Sequence, residues 1–148
     1  MKKVINAQEK DVWMYVAEDA TYATGNQAIF KASDFIGAGP THAARTRFYF
    51  RPQDKTHLSG QDFAADMAPD YFELEHTVDA CIEVLKTVGA AMANPHGGFV
   101  VIQDDLGTAY TTDGSSLGNA MTDLDFPPIA STGTAVSVSG VSISTVDA

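Results

Sequence analysis

Four histidines, one cysteine and two closely spaced aspartate pairs are the residues of this chain whose types suggest chemistry. A zinc or acid/base site would draw on His42, His57, His76, His96 and Cys81, since imidazole and thiolate are zinc's usual ligands. Their spacing contains no ligand pair of the kind such sites use, so a metal would have to be gathered from distant segments. Asp104-Asp105 ends an apolar run, at a strand exit where open α/β sheets bind ligands, and paired carboxylates there would suit Mg²⁺ or Ca²⁺. The same Asp-Asp-Leu-Gly string is also an ordinary strand exit, because turns select aspartate and glycine. Asp123 and Asp125 do not match the calcium-loop pattern. Asn94 to Gly98 follows a helix rather than preceding one, so it reads as a helix stop and not a phosphate cradle. Ser115-Ser116 lacks the G-x-S-x-G elbow of a hydrolase nucleophile. The residues therefore predict no catalytic group, no cofactor and no resident metal. The rival reading is a small metal-dependent enzyme or ligand-binding domain built on Asp104, Asp105 and a nearby histidine.

The elements that would position any such site fit one domain spanning residues 1–148. The chain is 45% hydrophobic, enough for a single core, and no apolar run approaches the roughly 20 residues of a spanning helix. Its start has no signal-peptide core, which predicts a cytosol-made protein without a membrane partner. A formal charge of -10 repels nucleic-acid phosphate, so direct DNA or RNA binding is not expected. Cys81 has no partner for an intrachain disulfide and, at an apolar helical position, reads as a small core residue.

Aromatic and β-branched residues from Asp11 to Ala17, a turn at Thr24-Gly25-Asn26 and the run Ala28-Ile29-Phe30 predict a hairpin. Ser33 or Asp34 is placed to cap a short turn at Phe35-Ile36, and the glycines and proline from Gly37 to Ala44 predict a connection. Arg45 to Arg51 alternates Phe48 and Phe50 with Arg47, Tyr49 and Arg51, a strand with one apolar face. Gln53 to Pro69 reads as a long loop. In Tyr71 to His76, Phe72 and Leu74 alternate with Glu73 and Glu75, and pairing this strand with the arginine strand would oppose unlike charges. Thr77 reads as the N-cap of a helix to Met92, with Val78, Cys81, Ile82, Leu85, Val88, Gly89 and Met92 on one face and His76 assisting the cap. Phe99 to Ile102 is continuously apolar, as a central strand covered on both faces would be. Thr108 to Thr112 and Met121 to Phe126 suggest two short elements. In the tail, residues 134–148, Val136 and Val138 alternate with serines and slip phase at Gly140 before Val141 and Ile143, which predicts a strand with a β-bulge. The fold class is α+β: a mixed or antiparallel sheet with one main helix (Thr77 to Met92) packed on it and β-rich N- and C-terminal parts.

The strings Ala28-Ile-Phe-Lys-Ala-Ser-Asp-Phe-Ile-Gly-Ala, Arg47-Phe-Tyr-Phe-Arg-Pro, His76-Thr with its helix, and Asn94-Pro-His-Gly-Gly-Phe-Val-Val-Ile-Gln-Asp-Asp together resemble the layout of small structural proteins from the virions of marine tailed bacteriophages. The resemblance spans roughly residues 1 to 110 and transfers no active site. It implies a structural protein of the virion, not an enzyme, assembled in many copies into a capsid, neck or tail, and the acidic charge, poorly suited to lining packaged DNA, favours the capsid exterior. There it would decorate or cement the shell as a homo-oligomer in contact with the major capsid protein or other virion proteins. A neck or tail component is the alternative. The residues expected to make contacts are Trp13, Tyr15, Val136, Val138, Val141 and Ile143, the last four through an edge strand added to a neighbour's sheet. Trp13, Tyr15, Phe48 and Tyr49 are equally aromatics that a core would claim.

Overall fold

The computed structural model describes residues 10–18, 27–52, 69–105 and 122–145. The fold is α+β, with seven strands in two sheets and one α-helix among the described residues. β1 (Val12–Ala17) pairs antiparallel with β2 (Gln27–Lys31) and parallel with β6 (Gly98–Asp104), giving a three-stranded sheet of order β2-β1-β6. β3 (Phe35–His42), β4 (Arg45–Phe50), β5 (Asp70–His76) and β7 (Val138–Ser144) form an antiparallel sheet in the order β3-β4-β5-β7. The helix α1 (Cys81–Met92) carries the chain from the second sheet to the first.

Period-two alternation places the core. Val12, Met14 and Val16 of β1 and Phe30 of β2 face Phe48 and Phe50 of β4, Phe72 and Leu74 of β5 and Val141 of β7, with Ile102 completing the layer. Phe30 crosses from one sheet to the other, its ring centroid 4.8 Å from that of Phe50 and 5.3 Å from that of Phe72. Phe72 also stacks on Phe48 at 5.0 Å. The opposed strands carry the expected charges. Arg45 lies opposite Glu75 and Arg47 opposite Glu73, each pair closed by a salt bridge.

Several expectations are corrected by the tertiary pairing. The segment from Gly37 to Ala44 is mostly strand, because β4 offers β3 a ladder that its glycines and Pro40 do not prevent at a sheet edge. The local turn lies at Ala32–Asp34, directly before the expected position at Phe35-Ile36, which belongs to β3. Phe99 to Ile102 is not central, since β6 ends its sheet and Phe99 is exposed; Thr122 and Asp123, which belong to no regular element, bond its outer edge instead. Thr77 does not cap the helix. Its backbone and hydroxyl pair with Ser137, Asp79 takes a positive φ of 65°, and the helix begins at Cys81 after Ala80 without a side-chain cap. Of the expected face, Val88 is buried and Leu85 and Met92 pack against the core, but Val84 is buried as well while Val78 and Ile82 face out. The helix stop at Asn94 to Gly98 stands: Asn94 accepts from the His96 N–H, and Gly97 at φ 68° lies so close to Asp11 that a Cβ would meet its carbonyl oxygen at 2.6 Å. The turn at residues 24–26, the loop of residues 53–68, the element at 108–112 and Ser115-Ser116 lie outside the described residues.

The tail folds onto its own chain. β7 pairs with β5 through Leu74–Val141 and Phe72–Ile143, and the register shift opposite Glu75 and His76 is the bulge that the phase slip at Gly140 predicts. Its other edge is closed by carboxylates: Asp105 Oδ2 accepts from the Val141 N–H at 3.0 Å, and Glu18 Oε2 from the Ile143 N–H at 3.1 Å. Phe72→Ala should destabilise the protein by about 3–5 kcal/mol, because Phe72 touches Phe30, Phe48 and Phe50 in a closed cluster, whereas Phe99→Ala should cost under about 1 kcal/mol. Urea unfolding midpoints compare the two variants.

Candidate interaction surface

The alternation that buries Met14 and Phe30 sends their neighbours to the other face of the three-stranded sheet. There Trp13 lies opposite Lys31 and Phe99, and Tyr15 opposite Ile29 and Val101. Trp13 and Ile29 are each 45% exposed and Phe99 60%, large apolar side chains from three adjacent strands on one side. The Tyr15 and Phe99 rings lie 6.0 Å apart, and the Lys31 ammonium sits 5.5 Å from the Trp13 ring centroid. Large apolar side chains clustered on an exposed sheet face are the usual mark of a protein-docking surface. Of the residues expected to make contacts, the structure brings Trp13 and Tyr15 together here. Val136, Val138, Val141 and Ile143 instead pack against the protein's own core. Ile29 and Phe99 were not singled out in the sequence; their signal is register, since each lies directly opposite one of the two aromatics of β1.

The outer face of the four-stranded sheet is polar and internally satisfied. Glu73 Oε2 accepts from Arg47 Nε at 3.0 Å and from the Thr41 hydroxyl at 2.7 Å, and the Arg47 guanidinium lies 3.9 Å from the Tyr71 ring centroid. Tyr49 meets Tyr71 edge to face, so of the four candidate aromatics only Phe48 is fully in the core. Burial works against the charge on Arg47, but Glu73, with Tyr71 and Tyr49, holds its pKa above the ordinary guanidinium value.

Of the remaining chemistry-bearing residues, His76, Cys81, Asp105 and Asp123 have structural partners. His76 is buried, with Nδ1 donating to the Thr77 carbonyl at 2.8 Å and Nε2 2.8 Å from the Thr46 hydroxyl, which in turn reaches Cys81 Sγ at 3.2 Å. It thus serves an inter-strand network and not the helix cap. Asp104 is fully buried; Asp105 accepts from Gln103 Nε2 as well as from Val141. Gln103 Oε1 is buried without a hydrogen-bond partner. Asp123 Oδ2 accepts from the Val101 N–H. His42 and His96 are exposed, and His57 lies outside the described residues. Among the described residues no three His, Cys, Asp or Glu side chains converge to hold a metal ion, and no helix is long and apolar enough to cross a membrane. A groove of about 330 Å³ runs between Lys10 to Val12, Ala32-Ser33 and the helix end at Met92 to Pro95. Asp11 in its wall is committed to Ser33, through both hydroxyl and backbone N–H, and to the N–H of Val12. The architecture defines an α+β domain with an exposed aromatic sheet face. Compared with protein-family models, curated proteins and solved structures, the chain has no match.

Arg47→Ala should cost about 2 kcal/mol, because Glu73, whose side chain is only 10% exposed, loses its charge partner; Arg45→Ala, at an exposed pair, should cost under about 1 kcal/mol. Urea titrations of the two variants make the comparison. Burial works to raise the pKa of Asp11, but bonds to Ser33 and Val12 and the charge of Lys31 outweigh it and hold the carboxyl below its ordinary value. With the folded value depressed, its contribution is complete above about pH 5, well clear of the unfolded carboxyl's pKa, and disappears as pH falls through the folded pKa. Asp11→Asn should therefore lose less stability than the parent chain between about pH 5 and pH 3, read as the shift of the urea midpoint with pH.

Proposed function

We propose that this protein is a structural component of a tailed-phage virion, a decoration or cement protein on the capsid exterior. In this reading it turns over no substrate and docks on the major capsid protein or another virion protein through the outer face of its three-stranded sheet. The observation that carries the docking reading is the exposure of Trp13, Ile29 and Phe99 on one face of three adjacent strands, with Phe99 directly opposite Trp13 and Ile29 one register step along, opposite Tyr15. Desolvating such side chains against a complementary surface supplies roughly 25 cal/mol per Å² of apolar area removed from water. Aromatic anchors of this type dominate protein-docking energetics. Lys31 at the margin suits a partner that presents a carboxylate beside an apolar patch. The resemblance of residues 1 to 110 to virion proteins supports the particle as the setting, and the charge of -10 favours the outer side of the shell over the side facing packaged DNA. A neck or tail position would use the same face for ring contacts.

The test is co-sedimentation with particles assembled without this protein. Trp13→Asp combined with Phe99→Asp should leave the circular dichroism spectrum intact and lower bound protein at least about tenfold, since each substitution puts a charge into the centre of the contact. Undiminished binding by that variant would refute the docking face. Separating heads from tails before sedimentation distinguishes the shell from the neck or tail. Trp13 is the sole tryptophan, so docking should also shift the intrinsic fluorescence to shorter wavelength.

A further inference from the structure

The two sheets have four edges, and among the described residues three of them carry a device against strand addition. β3 has Pro40 and two register shifts. The outward amides of Val141 and Ile143 on β7 are occupied by Asp105 and Glu18. β6 is covered by Thr122 and Asp123, whose groups bond the backbone of Val101 and Ile102. Among the described residues, β2 has no proline, no register shift against β1 and no carboxylate bonded to its free side.

The outward groups of β2 follow from the pairing of its neighbour. The Asp11 and Ala17 carbonyls accept from Gly98 and Asp105, so the odd-numbered residues of β1 turn their backbone groups toward β6 and the even-numbered ones toward β2. Met14–Phe30 and Val16–Ala28 are then the hydrogen-bonded pairs, and Gln27, Ile29 and Lys31 direct their N–H and C=O groups away from the sheet. That free edge is self-complementary. An antiparallel match to a second copy centred on Ile29 opposes Ile29 to itself and Gln27 to Lys31, with no like charges facing and no acidic side chain in the strand.

We propose that β2 is a homodimerisation edge: two copies pair through β2 about a twofold axis at Ile29, joining their three-stranded sheets into one. Three hydrogen-bonded residue pairs exchange about six backbone hydrogen bonds. The two half-exposed Ile29 side chains meet at the centre, on the same face as Trp13 and Tyr15, so the aromatic face of each copy becomes half of a doubled surface. The dimer rests on the assembly reading only for its purpose, because its formation is measured without particles.

Sedimentation of the full chain in about 0.15 M salt, where charges are screened beyond about 8 Å, tests it. The expected species has twice the 15.7 kDa mass of the chain. Gln27→Lys, which sets a second ammonium opposite Lys31 of the other copy at both ends of the junction, should raise the dissociation constant about tenfold, and Gln27→Glu should lower it about tenfold. Ile29→Pro should yield a monomer, since it deletes the central outward N–H while sparing the bonds from Ala28 and Phe30 to β1. If that variant fails to fold, the Gln27 pair decides alone. A chain that stays monomeric both as the parent and as Gln27→Glu overturns the proposal. So does a dimer whose affinity the two Gln27 substitutions leave unchanged or move in the same direction. Loss of particle binding with the dimer intact, or the reverse, separates the docking face from this edge.

Discussion

The contact of Phe30 with Phe50 and Phe72 is the constraint on which the rest of the molecule depends. It joins a sheet of three strands to a sheet of four. Because side chains alternate along a strand, setting Phe30 inward decides the orientation of every residue paired with β2 and β1. Met14 and Val16 must then face the core, and Trp13, Tyr15 and Ile29 must face away from it. The exposed aromatic face and the buried phenylalanine cluster are thus two results of one register. A one-residue slip would bury the first and expose the second.

The acidic side chains have a comparable double role. Asp11, Glu18, Asp105 and Asp123 each accept a backbone N–H: those of Val12 and Ser33, Ile143, Val141 and Val101 respectively. A carboxylate can satisfy an outward amide and at the same time present a charge that a pairing strand would have to desolvate, so it closes an edge more firmly than a neutral side chain would. Much of the negative charge near the sheets is therefore committed to the backbone. The contrast with β2, whose sole charged residue is drawn over the Trp13 ring, is what makes that edge distinctive.

The sequence-level reading of β4 against β5 succeeded for a local reason: two arginines and two glutamates at alternate positions have few arrangements that satisfy them, and direct opposition is one. The bulge in the tail was legible in the same way, from a phase slip at Gly140. The helix was legible at its C-terminal end and in the inward side of Leu85, Val88 and Met92, but not in its start. The start depends on Thr77 being drawn to Ser137, sixty residues later in the chain, and no local cap signal carries that information. β3 was missed because glycine and proline weaken a strand's intrinsic preference, while pairing with β4 overrides it. The edge position of Phe99 to Ile102 is not legible locally, because an apolar run does not distinguish cover by strands from cover by irregular chain such as Thr122 and Asp123.

By itself the sequence determined the α+β class, the strand periodicities, the helix stop at Asn94 to Gly98 and the unlike-charge ladder, since each arises from residues close in the chain or from one face of one element. The division into two sheets, the parallel union of β1 with β6 and the return of the tail to β5 were decided only by tertiary structure. So was the assembly of Trp13, Tyr15, Ile29 and Phe99 into one surface. The reason is physical: periodicity states which side of a strand is apolar, but which strands lie side by side is settled by long-range packing around Phe30, and only that adjacency turns separate apolar residues into a face.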